Sequence, residues 1–99
     1  MSKGKNPITI LVVDDDQVHR FMLCAMIKDW GWRTVEADDG TTAVAAVENK
    51  SYDAVLMDVR MTQMDGHEAF AHIHALQPHL PVIIMTAYST VDDAVRAMK

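Results

Sequence analysis

Residues 8–16 read ITILVVDDD. The apolar run over 8–13 lacks the every-second-residue alternation of a half-exposed strand. A short, β-branched run of this kind suits a strand buried on both faces, as in a parallel sheet with helices on either side. Three aspartates then break the run. Asp16 stands where a helix N-cap belongs, with an oxygen to offer the amides of a first turn. Val18, Phe21, Met22, Ala25 and Met26 follow at helical spacing and predict an amphipathic helix with that stripe facing the core. Gly31 takes the position just past its end.

The pattern repeats along the chain. Residues 32–37 read as a second strand, Asp39-Gly40 as a turn and 41–49 as a short Ala/Val-rich helix. A third strand covers 52–57 and ends at Asp58. A helix over 66–76 carries the stripe Ala69, Phe70, Ile73 and Leu76. Pro78 and Pro81 close that helix and open a fourth strand over 82–85, ending at Thr86. Residues 91–98 begin a fourth helix. Strands alternating with helices imply a parallel sheet, because parallel neighbours need crossovers and these are right-handed. Ligands of such sheets bind beyond the carboxyl ends of the strands.

Composition narrows the function classes. The chain has 99 residues, 14 acidic and 9 basic, for a net charge of −5. That length gives one domain, expected over 8–99 behind a polar tail at 1–7. The acidic balance argues against nucleic-acid binding by this segment. No apolar run approaches the roughly 20 residues of a membrane span, and the N-terminus does not read as a secretory signal. The single cysteine, Cys24, cannot form an internal disulfide, which fits a reducing, cytoplasmic setting.

The chemistry gathers at the strand ends. The first strand delivers Asp14 and Asp15, the third Asp58, and the fourth Thr86. Each of these residues alone is an ordinary turn or cap residue. Their coincidence at one sheet edge is not. Two carboxylates 4 Å apart repel by about 4 kcal/mol at an effective dielectric near 20. A cluster of anions therefore calls for a cation, and an all-oxygen, partly hydrated set of ligands suits Mg²⁺. A metal beside a carboxylate also makes a phosphoryl-transfer centre, with the carboxylate as nucleophile. Five histidines lack zinc-site spacing. Of the eight methionines, Met22, Met26, Met57 and Met85 are expected to fill the core, and Trp30 and Trp32 to pack against it.

LVVDDD at 11–16, VLMDVRM at 55–61, MDG at 64–66 and VIIMTAYS at 82–89 resemble the receiver domain of two-component response regulators, over essentially the whole chain after the tail. DVRM, MDG and MTAYSTVDDAV are most similar to receivers of σ54-dependent transcription activators. The resemblance implies an α/β, flavodoxin-like, doubly wound parallel sheet in the order 2-1-3-4. It implies that Asp58 accepts a phosphoryl group from a sensor histidine kinase. Asp15 and Asp58 would ligate Mg²⁺ directly and Asp14 through water, with the backbone carbonyl of Arg60 completing the set. Thr86 would sense the phosphoryl group, and Ala87 would leave room beside it. The product would switch an output domain beyond residue 99, a DNA-binding transcription activator in the nearest receivers. The module would be a switch rather than an enzyme.

Two departures stand out. Thr62 occupies the place of the family's usual proline. The family's fifth strand, fifth helix and site lysine have no counterpart, since Lys99 lies in the fourth helix pattern. The domain is thus expected to be truncated at its C-terminus, slow to phosphorylate, and, with a bare strand edge, prone to self-association. Two other functions compete. LVVDDDQV also matches the first motif of haloacid-dehalogenase phosphatases, with Asp14 as nucleophile and Asp16 as general acid. That reading leaves Asp58 and MDG unexplained. A phosphate-independent interaction domain with an idle site is the other.

Overall fold

The computed structural model describes residues 7–58 and 66–85. Their order is β1 (Thr9–Val13), α1 (Gln17–Asp29), β2 (Arg33–Ala37), α2 (Gly40–Asn49), β3 (Ala54–Asp58), α3 (Gly66–Leu76) and β4 (Val82–Met85). The expected helix over 91–98, Thr62, Thr86, Ala87 and the backbone of Arg60 lie outside the described residues. The four strands are parallel, in the order β2-β1-β3-β4. This is the expected doubly wound sheet.

The unbroken hydrophobicity of β1 has its cause in this arrangement. Leu11 and Val13 join Val55, Met57, Ala43, Val47, Ala69 and Ile73 in a core beneath α2 and α3. Ile10 and Val12 join Leu56, Met85, Leu23, Cys24 and Ile27 in a second core beneath α1. Both faces of the strand are covered, so neither tolerates polar residues. Burial also pushes the Cys24 thiol above its ordinary pKa, and it stays an inert thiol near neutrality.

Local signals set the ends. Asp16 is the N-cap of α1, its side chain accepting from the amides of Val18 and His19. Gly31 follows the helix at φ +86°, a left-handed conformation that suits glycine. Asp39, expected as a turn residue, is the N-cap of α2 and accepts from the Thr42 amide at 2.7 Å. Gln77 Nε2 donates to the carbonyls of Val47 (2.9 Å) and Lys50 (3.2 Å), tying the exit of α3 to the end of α2.

Two predicted stripes are corrected. In α1 the buried residues are Leu23, Cys24 and Ile27, while Val18, Phe21 and Met22 are 69%, 71% and 48% exposed. Ala25 is exposed too, and Met26 is half-buried. The helix holds two apolar rows, and polar contacts in its first turn choose between them. Arg20 Nε donates to Glu36 Oε1 on β2 (2.8 Å), and Nη1 to the Asp14 carbonyl (2.6 Å). Those bonds turn the Arg20–Leu23–Cys24–Ile27 side of the helix towards the sheet. In α3, Ala69 and Ile73 are buried as expected, but Phe70 and Leu76 are exposed. Phe70 instead stacks on His74, with ring centroids 5.5 Å apart. Met57 and Met85 fill the core, whereas Met22 does not. Trp30 and Trp32 meet edge to face at 5.1 Å and pack against the α1-side core.

Candidate functional site

Strand register brings the acidic residues together. Val12 pairs with Leu56 and Val13 with Met57, so the next residues along, Asp14 and Asp58, lie level at the carboxyl edge. Asp58 is itself the last residue of β3. The Asp14 amide donates to the Ala37 carbonyl at 3.1 Å, carrying the β1–β2 ladder one step past the strand. Asp15 follows, exposed to water. One carboxylate oxygen from each of Asp14, Asp15 and Asp58 lies within 4.8 Å of the others. Thus three of the site residues expected from sequence converge, from the end of β3 and the turn between β1 and α1. Thr86 and Arg60 fall outside the described residues.

The environments of the three differ. Asp14 is fully buried, Asp58 half-buried and Asp15 exposed. A buried carboxylate needs hydrogen-bond donors. Asp14 Oδ1 accepts from the Asp16 amide at 2.9 Å, and Oδ2 meets Nδ1 of His19. Sequence reasoning missed His19. The signal available was its place one turn into a capped helix, five residues after Asp14, and that spacing follows no standard local rule. Among the described residues no buried side-chain nitrogen or oxygen lacks a partner.

The donors fit a hard divalent cation. All are carboxylate oxygens, and Asp15 keeps the cluster open to water. An octahedral Mg²⁺ at about 2.1 Å from its ligands sets them about 3.0–4.2 Å apart, close to the spread found here. Each Asp14 oxygen already faces a protein nitrogen, the Asp16 amide or His19 Nδ1, so a contact through water suits it better than a direct one. Asp16 caps α1 through Oδ1, a structural task that accounts for it without the phosphatase reading.

A parallel sheet in this order, with an acidic pair after its first strand and a lone aspartate ending its third, has the layout of a receiver-like α/β domain. Comparison with known sequences agrees: residues 10–99 match the model of the response regulator receiver domain. The chain belongs to that family. It is 48% identical over 99 residues to the transcriptional regulatory protein ZraR of Salmonella typhimurium, covering all of this chain and 22% of that protein. It spans about a fifth of the length of that protein and of the transcriptional regulatory protein GlrR of Escherichia coli, to which it is 37% identical over 91 residues. Among solved structures it is similar to the receiver domain of a Pseudomonas aeruginosa sensor histidine kinase, which has a magnesium ion coordinated in its active site cleft. That match has TM-score 0.80 and 32% identity, over 93% of this chain and 80% of that one. The response regulator TrrA of Thermotoga maritima, in complex with Mg²⁺-BeF, matches with TM-score 0.79 and 30% identity, over 83% and 71%. Among the described residues, no helix is long and apolar enough to cross a membrane.

Proposed function

We propose that this chain is the phospho-acceptor module of a cytoplasmic two-component system. Asp58 takes a phosphoryl group from a sensor histidine kinase, and the phosphorylated domain switches an output module that regulates transcription. The observation that carries this reading is the meeting of Asp58, at the end of β3, with Asp14 and Asp15 at the end of β1. A kinship at 48% identity with a transcriptional regulatory protein supports the output, and an activator of the σ54-dependent kind is the form we favour.

Each side chain has a task. One Asp58 oxygen attacks the donor's phosphorus, and the bond from phosphorus to the donor imidazole breaks. Bound Mg²⁺ would neutralise charge on the phosphoryl oxygens. Asp15 and Asp58 would hold it directly, Asp14 through water, and the Arg60 carbonyl would complete the protein ligands. Thr86 would donate its hydroxyl to a phosphoryl oxygen. The product is the modified chain itself, so the module works as a switch rather than as an enzyme with an external product.

Incubation with a small-molecule phosphodonor and Mg²⁺, followed by borohydride trapping and peptide mapping, should label Asp58. Asp58→Asn should abolish the label. Label on Asp14 would favour phosphatase-type chemistry, and no label would favour an interaction domain with an idle site.

A further inference from the structure

Asp14 is held by more than its strand. Its carboxylate has no exposure, Oδ1 accepts from the Asp16 amide at 2.9 Å, and Oδ2 meets His19 Nδ1. Without the histidine, Oδ2 would lose a donor inside the protein, and the carboxylate could turn about its last bond.

The ring of His19 is itself placed by three contacts. Helical side chains lean back towards the N-terminus, so a residue in the first turn of α1 points at the sheet edge. The His19 amide donates to Asp16 Oδ1 at 3.1 Å, fixing where the turn begins. Arg20, the next residue, binds the Asp14 carbonyl and Glu36, fixing how the turn is rotated. His19 keeps 30% of its side chain exposed, yet its Nδ1 faces the fully buried carboxylate. A histidine filling surface space would have no reason to meet Asp14.

We propose that His19 is a positioning residue of the acidic cluster: it donates from Nδ1 to Asp14 Oδ2 and fixes the carboxylate in the orientation from which Asp14 serves a divalent cation. The inference rests on reading the cluster as a Mg²⁺ site. Groups that orient metal-binding side chains typically matter by about 10–100-fold in affinity. Asn carries a donor at similar reach, whereas Phe keeps the ring and lacks one.

The test measures Mg²⁺ binding to the 99-residue chain by calorimetry, with two variants. His19→Phe should weaken Mg²⁺ roughly tenfold or more, and His19→Asn should restore it to within about threefold of the unchanged protein. Thermal melts without metal establish that both variants fold. A metal-free readout runs beside it. Long-range proton–nitrogen correlation spectra at mildly alkaline pH should show the Nδ1-protonated tautomer for His19. An Nε2-protonated ring, unchanged affinity in His19→Phe, or equal losses in both variants would overturn the proposal. Absence of Mg²⁺ binding by the unchanged protein would overturn the reading of the cluster as well, and so separates the two failures.

Discussion

Asp15 is the least enclosed member of the cluster, and its charge acts on Asp14 and Asp58 across a few ångströms. At 4 Å each such pair opposes folding by about 4 kcal/mol at a dielectric near 20, and by less where water reaches Asp15. Asp15→Asn should therefore stabilise the metal-free chain. A net gain of about 1 kcal/mol would raise the melting temperature by about 4–8 °C. The same change removes a Mg²⁺ ligand, so the shift produced by added Mg²⁺ should shrink. Melts with and without the metal measure both effects. A full metal-induced shift in the variant would count against Asp15 as a ligand. At this scale Asp16 was legible, because an N-cap is a local rule. His19 was not, because its contact with Asp14 arises only once helix and strand end are set side by side.

Helix α1 shows how an element's phase can escape a periodicity count. Val18, Phe21, Met22 and Ala25 form one apolar row, and Leu23, Cys24 and Ile27 another. Helical spacing fits both. Arg20 decides the matter through Asp14 and Glu36, and no count of apolar residues includes it. Stability measurements separate the rows. Ile27→Ala should cost about 2–5 kcal/mol, the usual loss for a buried aliphatic side chain. Phe21→Ala should stay within about 0.5 kcal/mol. Urea denaturation of the two variants reads the difference. A larger loss at Phe21 would mean that the helix turns its other row to the sheet. Element α3 teaches the same lesson more mildly, since Ala69 and Ile73 suffice to seat it.

At the scale of the whole sheet, the described strands end at β4. Among the described residues β4 pairs with β3 on one side, and its sequence VIIM carries no charge to discourage a second partner. Pro81 guards only the entry. Among the described residues the two sheet faces are also unequal: α2 and α3 cover one, and α1 packs on β1 and β2 of the other. The 99-residue chain by itself should therefore self-associate, with an apparent mass that rises with concentration in light scattering. Ile83→Lys, at a half-buried edge position, should reduce that rise. A strictly monomeric species at every concentration would show that the edge is protected.

The sequence by itself determined the order of elements, the parallel sheet and the aspartates at its carboxyl edge. Those features rest on short-range physics: continuous apolar runs for strands covered twice, caps and glycines for helix ends, and a polar residue wherever a buried strand meets water. The 2-1-3-4 order came from likeness to a family, since periodicity is silent about which strands are neighbours. Tertiary structure alone decided the rest. The register of Val13 against Met57 sets Asp14 level with Asp58. The bonds of Arg20 turn α1 onto Leu23 and Ile27, and the burial of Asp14 draws in His19. Each of these is a contact between residues whose meeting depends on how whole elements pack, and a pattern read along one segment cannot contain it.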